Sequence, residues 1–243
     1  GRKIRRAFIP GAEDMVLLSA DYSQVELRVL AHCSGDETLR NAFRDGRDIH
    51  TFVAGQINEV PVEEVTSEMR QQAKAVNFGI VYGQTPYGLS SQLGIPVDEA
   101  EEFINTYFER YPQVQEFIGQ TVNTARQEGY VRTLAGRRCR ITGIRGSGTV
   151  RSSAERVAVN SVIQGSAADM IKLAMIPISD RLADVSGRSA LLLQIHDELL
   201  LEVPETDVDQ VRDFVVDNMQ NAMNLSVPIE VDVAIGHNWE EAK

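Results

Sequence analysis

Leu191-Leu192-Leu193-Gln194-Ile195, then His196-Asp197, then Glu198-Leu199-Leu200-Leu201-Glu202-Val203 decides how this chain folds. Two apolar runs of strand length flank a two-residue polar break, the pattern of two buried strands around a tight turn. Downstream, residues 207–223 carry Val208, Val211, Phe214, Val215 and Met219 at helical spacing, and residues 229–235 alternate as a final strand. Far upstream, the apolar run from Met15 to Ala20 predicts another buried strand, ending at Asp21-Tyr22-Ser23. Val25, Leu27, Val29 and Leu30 then begin a short helix, whereas residues 1–8 show no helix or strand signature.

Residues 36–128 read as helices. Asp48 is placed to cap one, and Thr66 and Ser67 cap a longer one that stops at Gly83. Pro96 opens a third, Pro112 starts a fourth, and Gly129 ends it. Short strands are expected at 130–134 and 139–142, and a turn at 143–148. Helix resumes at Val150 and runs to about Ala183, with a break expected at Gly165. Strand, helices, hairpin, helix and strand together make an α+β sheet domain with a helical insertion.

The chain has 243 residues, 43% of them hydrophobic and 24% charged, which is globular composition and excludes a disordered or fibrous chain. No apolar run approaches the ~20 residues of a membrane helix, and no charged-then-apolar leader opens the sequence, so neither a membrane partner nor a secretory signal is expected. Cys33 and Cys139 have no metal-ligand spacing and are read as packing residues in a reducing compartment. The net charge of −11 is uneven: residues 1–125 carry −7, residues 126–172 carry +6 and residues 173–243 carry −10. The central positive block keeps an anion-binding surface open, although a solvated basic helix and loop would look the same.

Three sets of residues carry chemistry. Asp21 ends one apolar run, and Asp197 and Glu198 occupy the turn between two others. Carboxylates crowded at neighbouring strand ends repel, and a divalent cation with oxygen ligands relieves that repulsion; alone, each is equally a turn or cap residue. Arg70, Lys74, Phe78 and Tyr82 step by four along one helix face of about 18 Å, cations first and aromatics last. That order suits a nucleoside triphosphate, with cations on phosphates and rings against sugar and base; a helix with solvated basic residues and buried aromatics reads the same. Arg156, Asn160 and Gln164 also step by four, inside the positive block, and can touch bases or phosphates in a groove, although a polar helix face has the same pattern; Arg137, Arg138 and Arg140 could meet backbone phosphates or be a surface cluster. His196 adjoins Asp197, and His50 follows a helix start where it could meet an anion.

These residues resemble the polymerase domain of family A DNA polymerases, of the bacterial DNA polymerase I type. The likeness rests on Asp21-Tyr22-Ser23-Gln24-Val25-Glu26-Leu27-Arg28, on Arg70-x3-Lys74-x3-Phe78-Gly79-x2-Tyr82-Gly83, on Gln194-Ile195-His196-Asp197-Glu198, and on the stretch Asn160 to Asp169. It implies an antiparallel palm sheet (residues 1–35 and 150–243) with a large helical fingers insertion (36–149), and Mg²⁺-dependent addition of a dNTP to a primer 3′-hydroxyl. Asp21 and Asp197 would hold two Mg²⁺ ions with the Tyr22 carbonyl, and Glu198 would support them. Arg70, Lys74 and His50 would contact the triphosphate, with Ser23 and Gln24 nearby. Phe78 would pack at the sugar, Tyr82 near the templating position, and Glu26 would gate the 2′-hydroxyl. Arg156, Asn160, Gln164 and His196 would contact primer–template DNA. By the same likeness the protein is expected to be a cytoplasmic, nucleoid-associated monomer, and the thumb and nuclease domains are expected to lie outside this chain, which reads as a fragment. Gln71 departs from the family pattern, standing where many members have a second cation. The rival readings are an inactive primer–template or nucleotide-binding fragment and a two-metal nuclease, and the helix 70–82 disfavours the nuclease.

Overall fold

The computed structural model describes residues 2–243, with side chains from Ile4 onward; Gly1, where the first palm segment was expected to begin, lies outside them. In chain order the elements are α1 (Arg2–Arg5), β1 (Met15–Tyr22), α2 (Val25–Ser34), α3 (Glu37–Arg44), α4 (Ile49–Asn58), α5 (Ser67–Tyr82), α6 (Pro86–Leu93), α7 (Val97–Arg110), α8 (Pro112–Glu128), β2 (Tyr130–Arg132), β3 (Arg138–Arg140), α9 (Gly148–Val185), β4 (Ala190–Ile195), β5 (Glu198–Pro204), α10 (Val208–Gln220) and β6 (Val231–Gly236). The α+β class stands. The chain divides into two compact units: one takes the chain up to Val25, Ala167–Asn224 and Ile229–Lys243, the other Glu26–Ser166 and Leu225–Pro228.

The first unit is built on a four-stranded antiparallel sheet ordered β4-β5-β1-β6. The long apolar run makes β1 a central strand, and six of its residues in succession, Met15–Ala20, are buried. Alternation sends Leu17, Ser19 and Asp21 to one face and Leu18, Ala20 and Tyr22 to the other. Leu17 packs there with Leu200 and Ala242, flanked by Ile195 and Trp239. On the opposite face the Tyr22 hydroxyl donates to the Met219 carbonyl at 2.7 Å, tying the end of β1 to α10, whose Val211, Val215 and Met219 are buried. The first arm of the hairpin departs from its expected burial. β4 is an edge strand that pairs only with β5, and Leu192 and Leu193 are exposed where its register shifts between Leu191 and Leu193. An apolar run alone does not distinguish a central strand from an edge one.

The second unit is helical. Asp36, Asp48 and Thr66 cap α3, α4 and α5, their side chains accepting from the N–H groups of Leu39, Thr51 and Met69. Gly83 and Gly129 end α5 and α8 in the left-handed conformation. Buried Arg28 donates to the Pro228 carbonyl at 2.6 Å, and Arg44 and His32 bond Ser226, so the short segment Leu225–Pro228 joins this unit. Ala125, Val131, Ile141, Ile144, Ala154, Ala158 and Val162 form a core against which Cys33 and Cys139 pack. Both cysteines are free thiols, and burial pushes Cys33 up to about 11, so it is a packing group rather than a nucleophile.

Two expectations need correction. Arg2–Arg5 form a helical turn where no signature was read. Within the stretch read as helical, α6 forms between Gly83 and Pro96, capped by Thr85 with Pro86 in its first turn. α9 does not break at Gly165. A Cβ there would lie 2.8 Å from Thr133 Cγ2, and Arg137 donates to the Gly165 carbonyl at 3.0 Å, so this glycine serves close packing of the β2–β3 hairpin rather than a turn.

Candidate functional site

In the first unit the hairpin turn and the end of β1 converge. Asp21 pairs with Glu198 across β1 and β5, and the Tyr22 N–H donates to the Asp197 carbonyl at 3.2 Å. Gln24 and His196, which follow the strand ends, both hold left-handed backbone at φ 53° and 55°. Such strain in residues other than glycine persists where surrounding structure over-determines it, and it gathers at functional sites. Ser23 is fixed in the same loop by its N–H, which donates to the Glu230 carbonyl at 2.9 Å.

The three carboxylates differ in their partners. Glu198 is 1% exposed and fully engaged. Its Oε1 accepts from the Ser19 hydroxyl at 2.8 Å and from the Trp239 indole N–H at 3.0 Å, and its Oε2 accepts from Lys243. Burial raises its pKa, but the bonds from Lys243, Trp239 and Ser19 outweigh burial and hold it below the ordinary glutamate value. Asp21 behaves oppositely. Burial first, and the charge of Asp197 second, raise its pKa, against the ammonium of Lys243 at 3.5 Å from Oδ2. Its Oδ1 is buried with no hydrogen-bond partner. A buried, partnerless carboxylate oxygen next to a second carboxylate fits a cation. No trio of His, Cys, Asp or Glu side chains among the described residues gathers into a metal cluster. Any ion here would therefore rely on the Asp21 and Asp197 carboxylates, backbone and substrate oxygens.

Ser19, Trp239 and Lys243 were not read as site residues. No period links them to Glu198; the sheet register and the C-terminal turn bring them there. Trp239→Phe removes one hydrogen bond to a buried carboxylate and is expected to cost about 2 kcal/mol at neutral pH. Because Glu198 has a depressed folded pKa, that contribution is complete above the unfolded value and is lost as pH falls through the folded one. Urea unfolding at neutral pH and below the carboxylate range should show the loss only at the higher pH.

In the second unit α5 presents the expected stripe. Phe78 stacks on Tyr82 with ring centroids 6.1 Å apart and planes 13° from parallel. Arg70 and Lys74, together with Ser67, Gln71, Phe78 and Gln92, line a cavity of about 540 Å³. Arg70 donates through Nη2 to Asp48 Oδ2 at 2.7 Å, so Asp48 both caps α4 and aims Arg70. His50, buried in α4, lies 5.8 Å from the Phe78 ring. Its Nδ1 lies 3.1 Å from the Asn77 amide nitrogen. Arg156 lays its aliphatic stem over Gly83, 2.7 Å from where a Cβ would stand, which leaves only glycine at the end of α5. Asn160 and Gln164 follow Arg156 along α9, half-buried, and Asn160 Oδ1 has no hydrogen-bond partner. Glu26 sits half-buried in the first turn of α2.

The antiparallel sheet with its strand-end carboxylates in one unit and the cation–aromatic helix in the other are features of an α+β protein whose family comparison with known proteins identifies. The family model for DNA polymerase family A matches residues 1–241, and the chain belongs to that family. It is 50% identical over its whole length to DNA polymerase I of Caldicellulosiruptor bescii, of which it covers 29%, and 50% identical to DNA polymerase I of Geobacillus stearothermophilus, of which it covers 28%. The chain thus spans less than a third of these relatives. Among solved structures it is similar to the POL domain of Pol1 from M. smegmatis in complex with DNA primer-template and dNTP. That match has a TM-score of 0.93 and 44% identity, and covers 99% of this chain and 43% of that one. No helix among the described residues is long and apolar enough to cross a membrane.

Proposed function

We propose that this chain is the palm-and-fingers core of a DNA-templated DNA polymerase, extending a primer 3′-hydroxyl with a dNTP and releasing pyrophosphate. Residues 1–35 and 150–243 are assigned to the palm and 36–149 to the fingers. The observation that carries the reading is Asp21, a buried carboxylate with one partnerless oxygen beside Asp197, in a chain that shares its fold with a polymerase domain solved on primer-template and dNTP.

Asp21 and Asp197 would hold two Mg²⁺ ions with the Tyr22 carbonyl. Bound there, such ions would supply positive charge to the phosphates and to the attacking hydroxyl. The remaining work belongs to the protein. Glu198, drawn onto Ser19, Trp239 and Lys243, supports the site by anchoring the hairpin end. Lys74 and Arg70 hold the triphosphate by charge, and His50 by a hydrogen bond, with Ser23 and Gln24 beside the phosphates. The cavity along α5 has the size of a nucleotide site. Phe78 packs the sugar, Tyr82 stacks near the templating base, and Glu26 excludes a 2′-hydroxyl. Arg156, Asn160, Gln164 and His196 contact the primer–template.

Primer extension on a defined template with Mg²⁺ and dNTPs tests the reading. Template-dependent extension is the expected result. Retained DNA binding without extension would support the inactive-fragment alternative, and degradation of the primer would support the nuclease.

A further inference from the structure

Asn77 is 1% exposed on α5, and its side-chain amide nitrogen lies 3.1 Å from His50 Nδ1. An amide NH₂ can only donate, so the ring nitrogen it meets accepts and carries no proton. The proton of a neutral imidazole is then on Nε2. We infer that Asn77 is a positioning residue: it fixes His50 as the neutral Nε2–H tautomer, so that His50 offers a phosphate one directed, uncharged hydrogen bond and leaves the charge to Arg70 and Lys74. The phosphate partner rests on the triphosphate reading above; the tautomer does not.

The surroundings agree. His50 is 3% exposed, so its charged form is disfavoured first by burial. Arg70 and Lys74, facing it from α5, disfavour that form further. Asp48, on the approach to its own helix, favours the charged ring, but that carboxylate is already engaged by Arg70 and the Thr51 N–H. The Phe78 ring adds no charge. The balance lowers the His50 pKa to about 4. A histidine of ordinary pKa would change charge between about pH 6 and 7 and alter phosphate binding across the working range. Burial, with Arg70 and Lys74, removes that dependence, and the Asn77 contact selects which nitrogen of the neutral ring keeps its proton. It also satisfies a buried amide that would otherwise be costly.

The test is ¹⁵N–¹H correlation NMR of the histidine-labelled chain, with His50 assigned by loss of its signals in His50→Gln. A pyridine-like Nδ1, a pyrrole-like Nε2 and a titration midpoint near 4 are expected. Asn77→Asp should move the proton to Nδ1 and raise the midpoint above the ordinary histidine value, since a carboxylate can only accept. Asn77→Ala should mix the tautomers and raise the dNTP KM about fivefold, more than kcat falls. An Nδ1–H ring in the unaltered chain, which needs no variant to fold, overturns the inference; so does a single Nε2–H tautomer retained in Asn77→Ala. Absent primer extension with the expected NMR signature would count against the polymerase reading alone, and normal extension with an Nδ1–H ring would count against this inference alone.

Discussion

Asp21→Asn, and separately Asp197→Asn, should lower the rate of primer extension by at least ~10³-fold, a barrier increase of about 4 kcal/mol, while the protein stays folded. The amide keeps the side chain's size and removes the charge that holds a divalent ion. The structure adds a second expectation for position 21. Its carboxylate is raised in pKa by burial and by Asp197, so above the unfolded value the charged form costs stability rather than supplying it. Asp21→Asn should therefore unfold at the same or higher urea concentration at neutral pH without metal. The difference should shrink as the pH falls through the carboxylate range. Single-turnover extension and urea unfolding on the same preparation check both parts. A folded Asp21→Asn protein that extends at near-normal rate would remove Asp21 from the ion site. A destabilised one would mean that its carboxylate is structural.

Glu26→Ala should relax sugar selection by roughly 30- to 5,000-fold, as read by the ratio of dNTP to rNTP incorporation efficiency. Glu26 stands in the first turn of α2, half-buried and just past the strand that carries Asp21 in sequence. The side chain proposed to hold it aside is Tyr82, through its phenolic hydroxyl. A ribonucleotide's extra hydroxyl would then meet both a steric clash and a disturbed buried hydrogen bond. Those together are worth about 2–5 kcal/mol. Asp45→Ala is the matched control, an exposed carboxylate paired with Arg47 at 3.0 Å at the end of α3. It should leave the ratio unchanged. An unchanged ratio in Glu26→Ala, with extension still measurable, would take Glu26 out of the sugar site.

What could be read along the chain is what depends on near neighbours. Asp36, Asp48 and Thr66 cap helices because their short acceptors meet N–H groups three residues on. The Phe78–Tyr82 stack follows from a four-residue step on one helix. Asp21 and the Asp197–Glu198 turn could be suspected of meeting because both end apolar strand runs, and the antiparallel register realises that proximity. What depended on distant segments could not be read. β4 looked as buried as β5 but lies at the sheet edge. Gly165 has the look of a helix break in the sequence, but the helix runs through it, and the packing of Thr133 against it accounts for a glycine at that place.

Strands, most helix caps and the identity of the carboxylates and cations are legible along the chain, because backbone propensity and side-chain charge are properties of each residue and its neighbours in the chain. Which charges are satisfied depends on how distant segments pack. Glu198 is engaged on both oxygens while Asp21 keeps one without a partner, because the C-terminal turn brings Trp239 and Lys243 to one and not equally to the other. Asn77 and His50 meet because two separately nucleated helices pack together. The protonation state and reactivity of each group follow from burial and the few groups within hydrogen-bond reach, which chain connectivity does not specify.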